Sequence, residues 1–264
     1  MPRSQRYLDD LRLAHVLADQ ADSLSMDRFL AEDLTVEAKP DFTLVSDADR
    51  AVEDQVRHQL ATSRSRDSVV GEERGATGAS SRQWIIDPID GTHNFVRGVP
   101  VWATLIALVE DGEVQVGVVS APALKRRWWA GTGLGSFTGT SLMRARALKV
   151  SAVASIEDAF LSYASLDSWL NAGLGQAFLD LQSRCWRSRG FGDFWSYMMV
   201  AEGAVDIAAE PSLEIYDMAA LVPILREAGG QFTSLSGEEG PWGGNAVATN
   251  GLLQDVVIEA LAGK

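Results

Sequence analysis

From Tyr7 to Leu30 the apolar residues Leu11, Ala14, Leu17, Ala21 and Leu24 recur at spacings of three and four. That period predicts a long amphipathic helix. Lys39-Pro40-Asp41 breaks it, and a second helical stripe runs from Ala48 to Ala61 through Val52, Val56 and Leu60, with Ser46 and Asp47 placed to cap it. Ser68 to Gly71 and Gln83 to Ile86 are short apolar runs of strand length. Thr104–Glu110 and Glu113–Ser120 flank Asp111-Gly112. This predicts a hairpin, because Asp-Gly accepts the positive φ angles of a tight turn. Arg127 to Ala130 opens a further strand, and Gly131 to Gly139 reads as a glycine-rich hairpin turn.

Downstream, Phe194 to Glu202 reads as a helix and Asp206 to Ala209 as a strand. Asp217 to Ala228 is helical up to a stop at Gly229-Gly230. Ala246 to Thr249 is a strand, and Leu252 to Leu261 a closing helix. Interleaved helices and strands, with an antiparallel hairpin among them, predict a layered mixed α/β architecture. The chain is expected to form a single compact unit. Its soft subdivision falls near Ala147–Ala152, between residues 1–147 and 148–264.

Composition narrows the function. The chain has 264 residues, 36 acidic and 23 basic side chains and a net charge of −13, which argues against a nucleic-acid backbone binder. The apolar content of 46% suffices for a real core. Cys185 is the sole cysteine, so an intrachain disulfide or a cysteine zinc site is excluded, and it reads as a small core residue. Of the histidines His15, His58 and His93, the first two lie in helical stretches, which argues against a zinc cluster. The start carries no apolar signal region, and no apolar run reaches the length of a membrane span. A soluble, cytoplasmic protein is expected. Gly131, Gly133 and Gly135 lack the spacing of a nucleotide loop, and Lys125-Arg126-Arg127 reads as a solvated strand edge or subunit contact.

The chemistry concentrates in Trp84-Ile85-Ile86-Asp87-Pro88-Ile89-Asp90-Gly91-Thr92. Acids appear where an apolar strand ends, the place where ligands gather in open α/β sheets. Pro88 fixes φ and Gly91 permits an unusual backbone angle, so the turn can aim Asp87, the Ile89 carbonyl and Asp90 at one point. Oxygen donors of that kind suit Mg²⁺. Gly91 to Asn94 would then open a helix or turn whose free N–H groups can hold phosphate. Taken alone, the same residues also describe an ordinary turn. Glu72-Glu73 after the first apolar run reads by itself as solvated charge, and Asp217 as a helix cap. The three acid sites together fit a centre of two or more divalent ions.

Gly71-Glu72-Glu73, Trp84 to Phe95, Tyr216 to Ala220 and Glu227 to Gly230 resemble, in order and spacing, the inositol monophosphatase superfamily of Mg²⁺-dependent, lithium-sensitive phosphatases. Within it, Arg97–Ala103, Ser120–Leu124 with Arg127–Ala130, and Val200–Pro211 are most similar to the histidinol-phosphate phosphatases. The resemblance implies a layered αβαβα sandwich of the inositol monophosphatase and fructose-1,6-bisphosphatase type. It implies two or three Mg²⁺ ions, held by Glu72, Asp87, the Ile89 carbonyl, Asp90 and Asp217. Thr92, oriented by Asp49, would position the attacking water, with Glu72 supporting a third ion and its water. The N–H groups of Gly91 and Thr92 would bind the phosphate. Asp90, Gly192, Asp193, Glu210 and Asp217 would line the substrate, and Lys39 would lie near the metal loop.

His93 and Leu44 depart from the superfamily pattern without removing a ligand. The implied reaction is hydrolysis of L-histidinol phosphate to L-histidinol and phosphate in histidine biosynthesis, by metal-activated water and without a covalent intermediate. Glu210 and Asp193 would take the amine or imidazole, and Phe191, Phe194 or Trp195 would offer a ring face to the cation. Phe194 and Trp195 also fit a plain core role. A homodimer is implied as well. The alternatives are an inositol-1-monophosphatase or broader sugar-phosphate phosphatase, and a non-catalytic binding module of RNA-processing or transcription complexes.

Overall fold

The computed structural model describes residues 3–40 and 43–262. Asp41, within the expected break at Lys39-Pro40-Asp41, lies outside the described residues, as do Met1-Pro2 at the start. Helices α1 (Arg3–Arg28) and α2 (Asp47–Ser63) follow the two predicted stripes. Ser46 caps α2 in a capping box with Asp49. Between the helices, β1 (Val36–Ala38) and β2 (Leu44–Ser46) form a small antiparallel ribbon.

The next strands are β3 (Ser68–Gly71), β4 (Gly75–Thr77) and β5 (Arg82–Asp90). After the short helix α3 (Thr92–Val96) come β6 (Ala103–Glu110), β7 (Glu113–Ala121), β8 (Arg126–Gly131), β9 (Gly135–Ser141) and β10 (Arg144–Ala147). They build an eight-stranded sheet in the order β10-β9-β8-β7-β6-β5-β3-β4. The predicted hairpin at Asp111-Gly112 joins β6 and β7, with Asp111 at φ +53° and Gly112 at +83°. Gly131–Gly139 is mostly strand: the turn is confined to residues 132–134, and Gly135 to Thr138 pair with β8.

The second half adds β11 (Phe160–Tyr163), α4 (Leu166–Asn171), α5 (Gly175–Arg184), β12 (Arg187–Gly190), α6 (Asp193–Ala201) and β13 (Ile207–Glu210). It closes with α7 (Ile215–Met218), α8 (Leu221–Glu227), β14 (Gln231–Thr233), β15 (Ala246–Thr249) and α9 (Gln254–Leu261). These strands make a five-stranded sheet ordered β12-β11-β13-β15-β14. The single helix expected over Asp217–Ala228 is two. Pro223 is the reason, since its ring excludes the carbonyl four residues back and it is tolerated only in a helix's first turn.

Strand alternation sorts the core into layers. Trp84 and Ile86 of β5, with Ile106 and Leu108 of β6, face Leu11, Leu17, Val52, Val56 and Leu60 of α1 and α2. Ile85, Leu105 and Ala107 face the opposite way, toward α6, α8 and the near face of the five-stranded sheet. The far face of that sheet presents Leu161, Ile207, Ala209 and Val247 to Trp169, Phe178, Leu181 and Val257 of α4, α5 and α9. The result is the expected αβαβα sandwich, with helices at both outer faces and in the middle.

Gly117 on β7 sets one spacing in this stack, because a Cβ there would lie 2.2 Å from the Ala220 carbonyl oxygen between α7 and α8. Arg127 is not a solvated edge: it is half-buried and paired with Asp19 and Asp22 of α1. Arg126 pairs with Glu202 and lies over the Trp128 ring. Cys185 is half-buried against the outer helical layer, its thiol donating to the Leu181 carbonyl. No helix among the described residues is long and apolar enough to cross a membrane.

Candidate active site

In a regular strand Asp87 and Asp90, three residues apart, would point to opposite faces. Here β5 bulges. Asp87 pairs with Leu105 and Asp90 with Ala103, so Pro88 and Ile89 together oppose the single residue Thr104. Pro88 has no N–H to leave unpaired, and its carbonyl accepts from the Thr104 hydroxyl at 2.8 Å. The extra residue brings both carboxylates to one side, where α7 delivers Asp217. Carboxylate oxygens of Asp87, Asp90 and Asp217 lie within 4.8 Å of one another.

Asp217 is not the cap of its helix. Glu214 takes that place, and Asp217 reaches back from the third position to accept from the Glu214 N–H at 2.8 Å. This bond orients the carboxylate toward β5. Glu72 follows β3, the parallel neighbour of β5, and its N–H donates to the Ile86 carbonyl. Its carboxylate is paired to Lys39 at 2.7 Å, and Lys39 also holds Glu73 at 2.6 Å.

Asp49 is fully buried at the start of α2, where the Ser46 N–H and hydroxyl both donate to its Oδ2. Its Oδ1 lies 3.2 Å from the Thr92 hydroxyl, which also reaches the Ile89 carbonyl at 3.0 Å. The hydroxyl has one proton to share between these two acceptors, so the Ile89 carbonyl keeps at least one lone pair for a cation. Gly91 precedes α3 at φ +84° and ψ 39°, a left-handed conformation that glycine adopts without steric cost.

The opposite wall comes from the second half of the chain. Gly192, at φ +82°, and Asp193, at +49°, turn the backbone into α6. There the Phe194 N–H donates to Asp90 Oδ2 at 2.8 Å. Glu210 ends β13, buried, with Oε1 lacking a hydrogen-bond partner among the described residues. All the expected site residues except Asp49 line one cavity of about 690 Å³, Asp49 lying behind Thr92. Phe191 and Phe194 both border this cavity, although Phe194 is 1% exposed and packs mainly in the core. Trp195 does not line it. His93 is exposed at the rim.

One contributor, and the side-chain role of another, escaped the sequence reading. Glu53, fully buried on α2, accepts from the N–H groups of Glu73 and Arg74 at 2.7 and 3.1 Å and pairs with Arg57. It shapes the turn that presents Glu72. A Cβ at Gly71 would sit 2.1 Å from its Oε1. The signal available was a glutamate within the apolar stripe of α2. The other contributor is Asn94, whose amide joins the two walls.

Crowded, buried acids resist ionisation. Burial, then the charges of Glu72, Asp90 and Asp217, pushes the Asp87 carboxyl well above the ordinary range. Burial, then Asp193 and Asp217, does the same to Asp90. Burial lifts Asp217 to about 6 and, against the opposing pull of Lys39, lifts Glu72 to about 7. Asp87 Oδ1 is fully buried with no hydrogen-bond partner among the described residues. An oxygen-only donor set with an orphaned carboxylate oxygen is what a hard divalent cation satisfies, so the residues fit Mg²⁺.

Comparison with known proteins agrees with this geometry. Residues 10–263 match the inositol monophosphatase family. The chain belongs to that family. It is 59% identical over 256 residues to the histidinol-phosphatase of Streptomyces coelicolor, covering 96% of each chain. It is 58% identical over 254 residues to that of Mycobacterium tuberculosis, covering 96% of this chain and 98% of the relative. Among solved structures, the Thermotoga maritima IMPase superposes with a TM-score of 0.86 at 31% identity, covering 97% of each chain. The protein is a phosphoric monoester hydrolase of a metal-dependent phosphatase family.

Proposed function

We propose that this enzyme hydrolyses L-histidinol phosphate to L-histidinol and inorganic phosphate. The observation that carries the choice is the cavity itself: a carboxylate cluster on one wall faces two further carboxylates, half-buried Asp193 and buried Glu210, on the other. The first suits cations that receive a phosphate, and the second suits the ammonium and imidazole N–H of the leaving alcohol. Near-full-length identity to two histidinol-phosphatases supports the same reading. A neutral polyol phosphate, offering hydroxyl donors but no cation, would gain less from the second pair of acids.

Glu72, Asp87, the Ile89 carbonyl, Asp90 and Asp217 would hold two or three Mg²⁺ ions. Bound there, Mg²⁺ supplies positive charge that acidifies water and stabilises the leaving oxygen. Thr92 Oγ1 directs its proton to Asp49 Oδ1, which leaves a lone pair to accept from the attacking water. Burial raises the Asp49 carboxyl, a direction that suits it to receive a proton. The Gly91 and Thr92 N–H groups hold the phosphate oxygens. Water adds to phosphorus opposite the ester oxygen, the P–O bond breaks, and histidinol departs with a proton. Residues 1–147 provide the metal and phosphate side, residues 148–264 complete the pocket, and the enzyme works as a homodimer, which sedimentation velocity at micromolar concentration checks.

Parallel assays decide the substrate. With Mg²⁺ present, kcat/KM for histidinol phosphate exceeds that for inositol 1-phosphate by at least about tenfold. The opposite preference would overturn this assignment while leaving a phosphatase. EDTA abolishes turnover and Mg²⁺ restores it.

A further inference from the structure

Asn94 lies in α3, two residues beyond Thr92, and its side-chain nitrogen donates two hydrogen bonds, one of them across the cleft. One goes to the Val101 carbonyl at 2.9 Å, the other to Asp193 Oδ2 at 3.1 Å, a residue 99 positions away. A backbone carbonyl only accepts, so the Val101 contact settles which amide atom is nitrogen. Beneath this pair lies Gly91: a Cβ there would approach the Val101 oxygen to 3.0 Å and Asp193 Oδ2 to 3.2 Å. The segment that carries Asp193 has positive φ at both Gly192 and Asp193, and the next N–H, of Phe194, is held by Asp90.

We infer that Asn94 is a positioning residue that sets specificity. It clamps Oδ2 of Asp193, leaves Oδ1 for the cationic end of the substrate, and so selects phosphate esters that carry a nitrogen cation over neutral ones. The inference rests on the histidinol phosphate reading and names how one wall of that site is held. Asn94 belongs to the same short helix as Thr92, so the clamp also ties the cation wall to the reacting phosphate. A neutral donor is required at this point. A carboxylate at residue 94 would face Asp193 with like charge, and an ammonium would cancel the charge that the substrate meets.

A double-mutant cycle on the Mg²⁺-loaded enzyme tests it, with histidinol phosphate and glycerol 2-phosphate as cationic and neutral substrates. Asn94→Ala lowers the ratio of kcat/KM between the two by about tenfold, chiefly through KM for histidinol phosphate. Asp193→Ala lowers it at least as far, and Asn94→Ala added to Asp193→Ala lowers it no further. A parallel fall on both substrates, or full additivity of the two substitutions, would overturn the role of Asn94. If Asn94→Ala does not fold by thermal melting, Asn94→Ser carries the same cycle. The wild-type ratio reads the parent assignment separately. A wild type with no preference for the cationic ester removes both claims, whereas a preferring wild type with an unmoved Asn94 ratio removes only this one.

Discussion

Asp87 is buried on the sheet, raised above the ordinary carboxylate range and without a partner for Oδ1. A side chain so placed costs stability unless a cation meets it. Asp87→Asn keeps the shape and removes the charge. It is expected to fold, to melt at or above the wild-type temperature without Mg²⁺, and to lose at least about 10³-fold in kcat. Steady-state kinetics with a melting curve checks this, and wild-type turnover in the variant would refute the site. At Gly91 the constraint is steric. Gly91→Ala must hold φ +84° with a Cβ 3.0 Å from the Val101 oxygen, so it destabilises by about 1–2 kcal/mol and displaces the Thr92 N–H. Urea unfolding together with KM for the phosphate ester reads both effects.

At the scale of elements, position depends on small irregularities. The bulge in β5 puts Asp87 and Asp90 on one side, and Pro223 splits off α7, the short helix that carries Asp217. Gly117 lets that helix pair approach β7. Gly117→Ala places a Cβ 2.2 Å from the Ala220 oxygen and must push α7 and α8 outward. A loss of about 1–3 kcal/mol is expected, with weaker Mg²⁺ stabilisation because Asp217 moves with the helix. Chemical denaturation with and without Mg²⁺ measures both, and an unchanged Mg²⁺ response would disprove the coupling.

The same irregularities mark where sequence reading ended. Helices α1 and α2 and the Asp111-Gly112 hairpin are legible because their periods and turn chemistry are local. Strand β9 reads as a turn because Ser136, Thr138 and its glycines mask the alternation, with Phe137 the only large apolar residue on it. The bulge in β5 is visible only in pairing to β6. The acids of the site are legible as residues, while Glu53 and Asn94 act through partners distant in sequence.

For the whole molecule, an excess of buried acid has a thermodynamic consequence. Burial raises Asp193 and Asp217 to about 6 and Glu72 to about 7, and raises Glu210 well above the ordinary carboxylate range. The folded metal-free chain thus holds more protons than the unfolded chain between about pH 4 and 7. Its stability is greatest at the acidic end of that window and is lost as pH rises through the folded values. On the proposed function, Mg²⁺ would bind the ionised folded form and offset the loss by mass action. Urea unfolding at pH 5 and pH 8 in EDTA should give the higher midpoint at pH 5, and Mg²⁺ should raise the pH 8 midpoint more. A flat EDTA profile would contradict the buried cluster.

The sequence by itself determined the layered α/β class, the family resemblance and the identity of the acids at strand ends. Those rest on local period, turn chemistry and motif spacing, which need no knowledge of distant contacts. Only the tertiary structure decided that Asp87, Asp90 and Asp217 converge within 4.8 Å, that Lys39 pairs Glu72, and that Asn94 clamps Asp193 across 99 residues. Convergence depends on a strand bulge, a helix break and the close packing of α7 and α8 on β7. Each is a relation between segments, and no window along the chain contains it.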